Sequence, residues 1–174
     1  MQDQEVEILE NEVVEKSSME RIDEAELWMA NSGLALANCP VTHRFTPGLY
    51  IREIFMPAGS LIVSKIHLTE HPYMVMWGKV SVWTDDEGEV EIEAPFTGTT
   101  MAGTRRVLFC HTDVLWTTCH LNPDNENVEQ IENRIIQKHD NPLLSQGQKD
   151  FFAKQNKLMS DIVGNTVNQL DNEN

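Results

Sequence analysis

Two histidines and two cationic side chains form the group of residues in this chain best suited to chemistry. His67 and His71 have three residues between them, Lys65 precedes them, and Arg106 lies in a later polar stretch. Neutral imidazoles bind transition metals, whereas ammonium and guanidinium groups have no lone pair to offer and instead hold carboxylates or phosphates. The cluster therefore predicts either an anion pocket or a reduced metal site.

Local sequence around these residues resembles that of a known superfamily. Residues 59–78 read Gly-Ser-Leu-Ile-Val-Ser-Lys-Ile-His-Leu-Thr-Glu-His-Pro-Tyr-Met-Val-Met-Trp-Gly and resemble the first motif of the cupin superfamily, Gly-x5-His-x-His-x3-4-Glu-x6-Gly. Residues 101–106 look like the core of the second cupin motif, Pro-x-Gly-x2-His. Strings at 40–43, 47–53, 103–106 and 116–120 are similar to small cupin-like proteins of bacteriophages and prophages. The resemblance covers 39–136 and implies a cupin-type jelly roll or β-barrel.

The family's metal-ligand positions are only partly kept. Lys65 stands where the first histidine would be, His67 at the second, His71 at the glutamate and Arg106 at the last histidine. Two of the four positions thus hold cations, which would repel a divalent ion. Alternation along a strand puts Lys65 and His67 on one face, and His71, with Trp77 further along its strand, faces them. We therefore expect Lys65, His67, His71 and Arg106 to bind a small anionic ligand inside the barrel.

Two alternatives stay open for this cluster. The cations could instead pair with an internal acid, for which the candidates are Glu53, Glu70 and Asp113. A reduced metal site could also form from His67 and His71 with either His111 or His120, because three histidines suffice for an open site of zinc, iron or manganese. The sequence predicts no other cofactor and no catalytic residue.

The segment that must position these side chains is β in character. Residues 39–122 contain short apolar runs, rich in β-branched and aromatic residues, that Pro and Gly interrupt at short intervals. This pattern is typical of an antiparallel sandwich or barrel. After a predicted turn at 86–88, Glu89, Glu91 and Glu93 alternate with apolar residues, so we expect an acidic, outward-facing strand.

The regions on either side follow helical patterns. Residues 1–38 form an acidic arm with a weak amphipathic helix over 6–14, and residues 123–174 form a helical extension with a polar tail. Apolar spacing predicts one helix on Val128, Ile131, Ile135 and Ile136 and another over about 146–164. The N-terminal arm is either a solvated leader or a docking helix. We expect the arms to bind protein partners or to assemble the chain into a homo-oligomer.

Charge and cysteine usage narrow the classes of partner. The 174 residues include 28 acidic and 13 basic ones, a formal charge of −15 that disfavours nucleic acid and anionic membranes. No run approaches the ~18 apolar residues of a membrane span, and the acidic start is unlike a signal peptide. Three widely spaced cysteines suit a reducing compartment, so we expect the cytoplasm, or a host cytoplasm or virion if the chain is viral.

The expected function follows from the degraded metal pattern. We predict a non-enzymatic binding or assembly module, phage-encoded, that is either a virion-associated structural protein or a soluble binder of a small anion. The alternative that the cupin resemblance implies is a metal-dependent enzyme of isomerase, epimerase or dioxygenase type using the reduced histidine site. A fold alone does not decide between them, because function depends on the site.

Overall fold

The computed structural model describes residues 16–33, 37–84 and 88–154. Helix α1 spans Ser18–Asn31, helix α2 spans Val128–Ile135, and helical turns over 146–154 form α3. The strands are β1 (Val41–Thr46), β2 (Gly48–Met56), β3 (Leu61–Val63), β4 (Ile66–His67), β5 (His71–Trp77), β6 (Lys79–Thr84), β7 (Gly88–Glu93), β8 (Phe96–Thr100), β9 (Val107–Cys110), β10 (Val114–Asn122) and β11 (Ile136–Gln137). The predicted helix over 6–14 and the end of that over 146–164 lie outside the described residues.

The strands form antiparallel sheets around one interior. A five-stranded sheet has the order β1-β2-β10-β5-β8, a four-stranded sheet has the order β3-β9-β6-β7, and β11 pairs with β4. Val75, Val80, Cys110 and Val114 from both larger sheets are fully buried, so the sheets share one apolar core. The predicted fold class is confirmed: the chain is mainly β, a jelly-roll type of barrel flanked by helices.

The acidic strand β7 follows the sequence pattern, while most of the turn predicted at 86–88 lies outside the described residues. In β7, Glu89, Glu91 and Glu93 are exposed while Ile92 is buried, as predicted. Gly78, at the β5–β6 corner, has a φ of +89°, and a Cβ there would stand 2.0 Å from the carbonyl oxygen of Asp113. No other residue type fits this corner without moving β10.

Helix α2 and strand β11 close the barrel beside β4. Ile131 and Ile135 are buried against Tyr50 of β2. Ile136, which the spacing placed in the helix, instead pairs with His67 as part of β11. The Leu68 amide also donates to the Ile135 carbonyl oxygen at 2.7 Å. Backbone hydrogen bonds from the C-terminal extension therefore position His67.

Helix α1 packs on the barrel of its own chain. It starts with a capping box in which Ser17 and Glu20 satisfy each other's backbone amides. Ile22 and Asp23 on its inner face are buried. This part of the acidic arm therefore covers the barrel with its inner face, whereas the helix expected over 6–14, as a solvated leader or a docking helix, lies outside the described residues. No helix in the described ranges is long and apolar enough to cross a membrane.

Candidate metal centre

Three histidines from three strands meet inside the barrel. His67 lies on β4, His71 begins β5, and His120 lies on β10. Thr118 of β10 pairs with Tyr73 of β5, and two residues further along each strand stand His120 and His71. Because side chains alternate with a period of two, these two histidines share the inner face.

The geometry brings one ligand atom from each ring into a small volume. These atoms of His67, His71 and His120 all lie within 4.8 Å of one another. The ring centroid of His71 is 4.5 Å from that of His67 and 4.3 Å from that of His120. His71 and His120 are buried and His67 is partly buried. Among the described residues this is the group of histidine, cysteine and acidic side chains close enough to hold an ion.

Hydrogen bonds orient two of the rings. Nδ1 of His71 lies 3.0 Å from the Thr69 carbonyl oxygen, which only accepts, so Nδ1 carries the proton and Nε2 keeps its lone pair. Nε2 of His120 lies 3.2 Å from Oγ1 of Thr118. Nδ1 of His120 is buried without a hydrogen-bond partner. A buried polar atom left in this state is unusual and marks a position where a ligand is expected.

Burial and charge keep the three imidazoles neutral. The pKa of His67 is lowered to about 3 by burial, and neighbouring His71 and Arg52 add to the effect. Burial and the two other histidines likewise lower the pKa of His120 to about 3. Burial also lowers the pKa of His71. No ion pair joins any of the three to a carboxylate in the described part of the chain, so all present the form that binds metals.

The triad fits a divalent transition metal. Bonds of 2.0–2.1 Å at tetrahedral angles place ligand atoms roughly 3.4 Å apart, so binding an ion would bring the ligand atoms closer by at most about 1.4 Å. His71 already has the carbonyl partner that orients metal-binding histidines, and His120 has an unsatisfied ring nitrogen. Three neutral nitrogen donors match open zinc or iron sites.

The predicted anion cluster lines one cavity, but its cations have contacts of their own. Lys65, His67, His71 and Arg106 all border a cavity of about 770 Å³. The strand breaks after β3, and the exposed Lys65 ammonium pairs with Glu132 of α2 at 3.1 Å rather than with any of the three acids suggested by the sequence. Nη1 of Arg106 donates to Oγ1 of buried Thr100 at 2.8 Å, and its guanidinium lies over the Tyr73 ring.

Of the two histidines suggested as a third ligand, the structure brings His120 and not His111 to the site. Nε2 of His111 lies 2.8 Å from Oγ of Ser81, and its ring meets Phe109 edge-on beside strand β9. His111 therefore follows the end of β9 in the other sheet and is exposed, outside the triad.

Sequence reasoning missed Arg52 of β2, which lines the same cavity. Its neighbours in the ladder are Thr118 on β10 and His43 on β1. The signal was present in the alternation of β2, where Tyr50, Arg52, Ile54 and Met56 share one face. A single cation among buried apolar residues on a strand is unusual and marks a candidate site.

Comparisons with known proteins return distant likenesses of fold. No protein-family model and no curated protein matches the chain. A solved cupin domain from Bordetella pertussis is similar at 15% identity and a TM-score of 0.41, over 52% of this chain and 99% of that one. A cupin superfamily protein from Desulfitobacterium hafniense has 11% identity and a TM-score of 0.42, over 53% and 86%. Salicylate 1,2-dioxygenase from Pseudoaminobacter salicylatoxidans has 13% identity and a TM-score of 0.43, over 57% of this chain and 30% of that one. These scores are too low to say anything of activity, so the case for function rests on the site's own residues.

Proposed function

We propose that this chain binds one divalent transition metal through His67, His71 and His120 and uses it on a small molecule in the barrel cavity. The observation that carries the proposal is the convergence of three neutral, inward-facing imidazoles whose ligand atoms lie within 4.8 Å. Buried histidines that only fill space normally satisfy both ring nitrogens, and His120 does not. The metal-dependent alternative is thus favoured over the non-enzymatic module that the sequence favoured.

The chain's own residues would supply binding, orientation and shielding. A bound ion would act as a Lewis acid on an oxygen of its ligand. The Thr69 carbonyl oxygen keeps the proton of His71 on Nδ1 and so turns Nε2 towards the triad. Tyr50 stacks on His120 with ring centroids 5.9 Å apart, which limits the tilt of that ring. Ile131 and Ile135 cover this end of the barrel and restrict the entry of water.

A metal-free anion pocket is the second candidate. It is supported by Lys65 and Arg106, which line the same cavity and whose charges act on His67. Phage origin, association with a virion, homo-oligomer formation through the terminal arms and a cytoplasmic location stay predictions from the sequence.

Metal content tests the proposal directly. We expect chain purified without chelators to carry a transition metal near one equivalent by plasma mass spectrometry. Chelated protein should take up one equivalent of Zn²⁺ or Fe²⁺ in a titration. His71→Ala and His120→Ala should each weaken the affinity at least about tenfold, because each removes one of three donors.

His111→Ala is the matched control, since it removes a histidine of the same chain that lies outside the triad. Its affinity for Zn²⁺ should equal that of the unchanged protein. Equal affinity in the His71→Ala and His120→Ala proteins, or no uptake by folded chelated protein, would contradict the metal proposal and leave the anion pocket as the better candidate.

A further inference from the structure

Arg52 is a cation that lines the barrel cavity and has no ion-pair or hydrogen-bond partner among the residues that the structure describes. Its side chain borders the cavity, and its positive charge reaches both His67 and His120. Within the described ranges no carboxylate lies within ion-pairing distance of it, and no hydrogen bond from its guanidinium is found. Burial lowers the pKa of Arg52, because the surroundings disfavour the charge.

The other cations around the cavity differ from Arg52 in this respect. Arg105 pairs with Asp23 and Glu26, Lys65 pairs with Glu132, and Lys149 pairs with Asp140. Arg106 has its hydrogen bond to Thr100 and its contact with Tyr73. The Arg52 side chain is partly buried, and the Glu132 carboxylate acts on its charge from beyond ion-pairing distance. A cation in such a site is normally paired or hydrogen-bonded.

We infer that Arg52 binds the carboxylate of a small organic acid inside the barrel, beside the histidine triad. Any reaction of the bound acid rests on the proposed function, because the acid would then lie next to the metal ion. A guanidinium presents parallel N–H donors in a planar fork, which matches the two oxygens of a carboxylate. The acid's carboxylate would provide the direct ion pair that the described residues do not make with Arg52.

The residues that line the cavity indicate the chemical character of the rest of the bound acid. Ile54 and Met56 follow Arg52 on the inner face of β2, Trp116 of neighbouring β10 pairs with Ile54, and Leu108 of the other sheet also lines the cavity. These side chains favour an apolar body. The cavity of about 770 Å³ accommodates a molecule of drug-like size or smaller. The substrate class is therefore a small monocarboxylic acid with an aliphatic or aromatic body, rather than a free phosphate.

Calorimetric titration tests the assignment with benzoate and butyrate as probes, each compared with its uncharged amide. We expect both acids to bind chelated and Zn²⁺-loaded protein, with the amides at least about tenfold weaker. Arg52→Gln should reduce the affinity for the acids to that for the amides while metal content stays unchanged. The same substitution should raise the melting temperature of ligand-free protein, because it removes an uncompensated charge.

Arg44→Gln is the control, since Arg44 lies on neighbouring β1, is exposed and pairs with Glu53 outside the cavity. It should change neither acid affinity nor metal content. Three results would overturn the inference: equal binding of acids and amides, an Arg52→Gln protein that keeps its acid affinity or melts at a lower temperature, or tighter binding of inorganic phosphate than of either acid. Acid binding that depends on Arg52 in a chain that takes up no metal would support the inference and contradict the proposed metal function alone.

Discussion

Two arginines that border the same cavity have opposite surroundings. Arg105 lies at the junction between α1 and the barrel, where its guanidinium donates to Asp23 at 2.7 Å and to Glu26 at 2.8 Å. His139 and Asn141 complete this network by contacting Asp23. Arg52 lies beside the histidine triad and has no such partner among the described residues. The polar groups at the α1 junction are therefore hydrogen-bonded or ion-paired, whereas within the described ranges the guanidinium of Arg52 is not.

The difference separates a cluster whose charges the chain itself satisfies from one whose polar groups it leaves unsatisfied. The charges at the α1 junction are satisfied by the chain itself, so they hold the helix and the segment after β11 against the barrel. At the triad, by contrast, Arg52 has no ion-pair partner and Nδ1 of His120 has no hydrogen-bond partner within the described part of the chain. Unsatisfied polar groups that line a cavity point to a ligand that satisfies them.

The largest effect is expected from breaking the network at the α1 junction. Asp23→Ala should lower the free energy of unfolding by about 3–5 kcal/mol, because it leaves a buried guanidinium with half of its counter-charge. Urea unfolding followed by circular dichroism measures this. Glu24→Ala, on the exposed side of the same helix, should cost under about 1 kcal/mol. A loss under about 1 kcal/mol for Asp23→Ala would show that the junction does not depend on this network.

A smaller loss of stability is expected when the pH is lowered, because the histidine triad then gains protons. His120 has a pKa of about 3 in the folded chain and an ordinary value of 6.5, so the stability linked to its neutral form is present above pH 6.5 and is lost as the pH falls towards 3. Chelated protein should therefore lose about 2 kcal/mol from this group between pH 7 and pH 5. Urea midpoints at the two values measure the loss, and His120→Gln should flatten the slope. A His120→Gln protein with the unchanged slope would contradict the expected burial of the neutral ring.

The smallest change in stability is expected from replacing Lys65, a cation that lines the cavity but is exposed to solvent. The side chains of Lys65 and Glu132 are 52% and 43% exposed, so solvent screens their ion pair. Lys65→Met should change the free energy of unfolding by less than about 1 kcal/mol. A change as large as that for Asp23→Ala would place Lys65 with the charges at the α1 junction instead.

Residue periodicity in the sequence was sufficient to predict the strands and helices, but it did not predict how neighbouring strands pair. Strand alternation correctly predicted the outward face of β7, and apolar spacing correctly predicted α2 up to Ile135. The same alternation was wrong at Trp77, which is 61% exposed. The ladder between β5 and β10 shifts register between Leu115 and Trp116, next to the residue that pairs with Trp77. Such an irregularity depends on the neighbouring strand, so one strand's sequence does not reveal it.

By itself the sequence determined the class of barrel, the flanking helices and two of the three histidines, because these depend on residue periodicity and short spacing. Only the tertiary structure chose His120 over His111, placed Arg52 beside the triad and paired Lys65 with Glu132. Each of these outcomes depends on which strands are neighbours and in what register. Those relations join residues far apart in the chain, and they follow from how the whole core packs rather than from any local pattern.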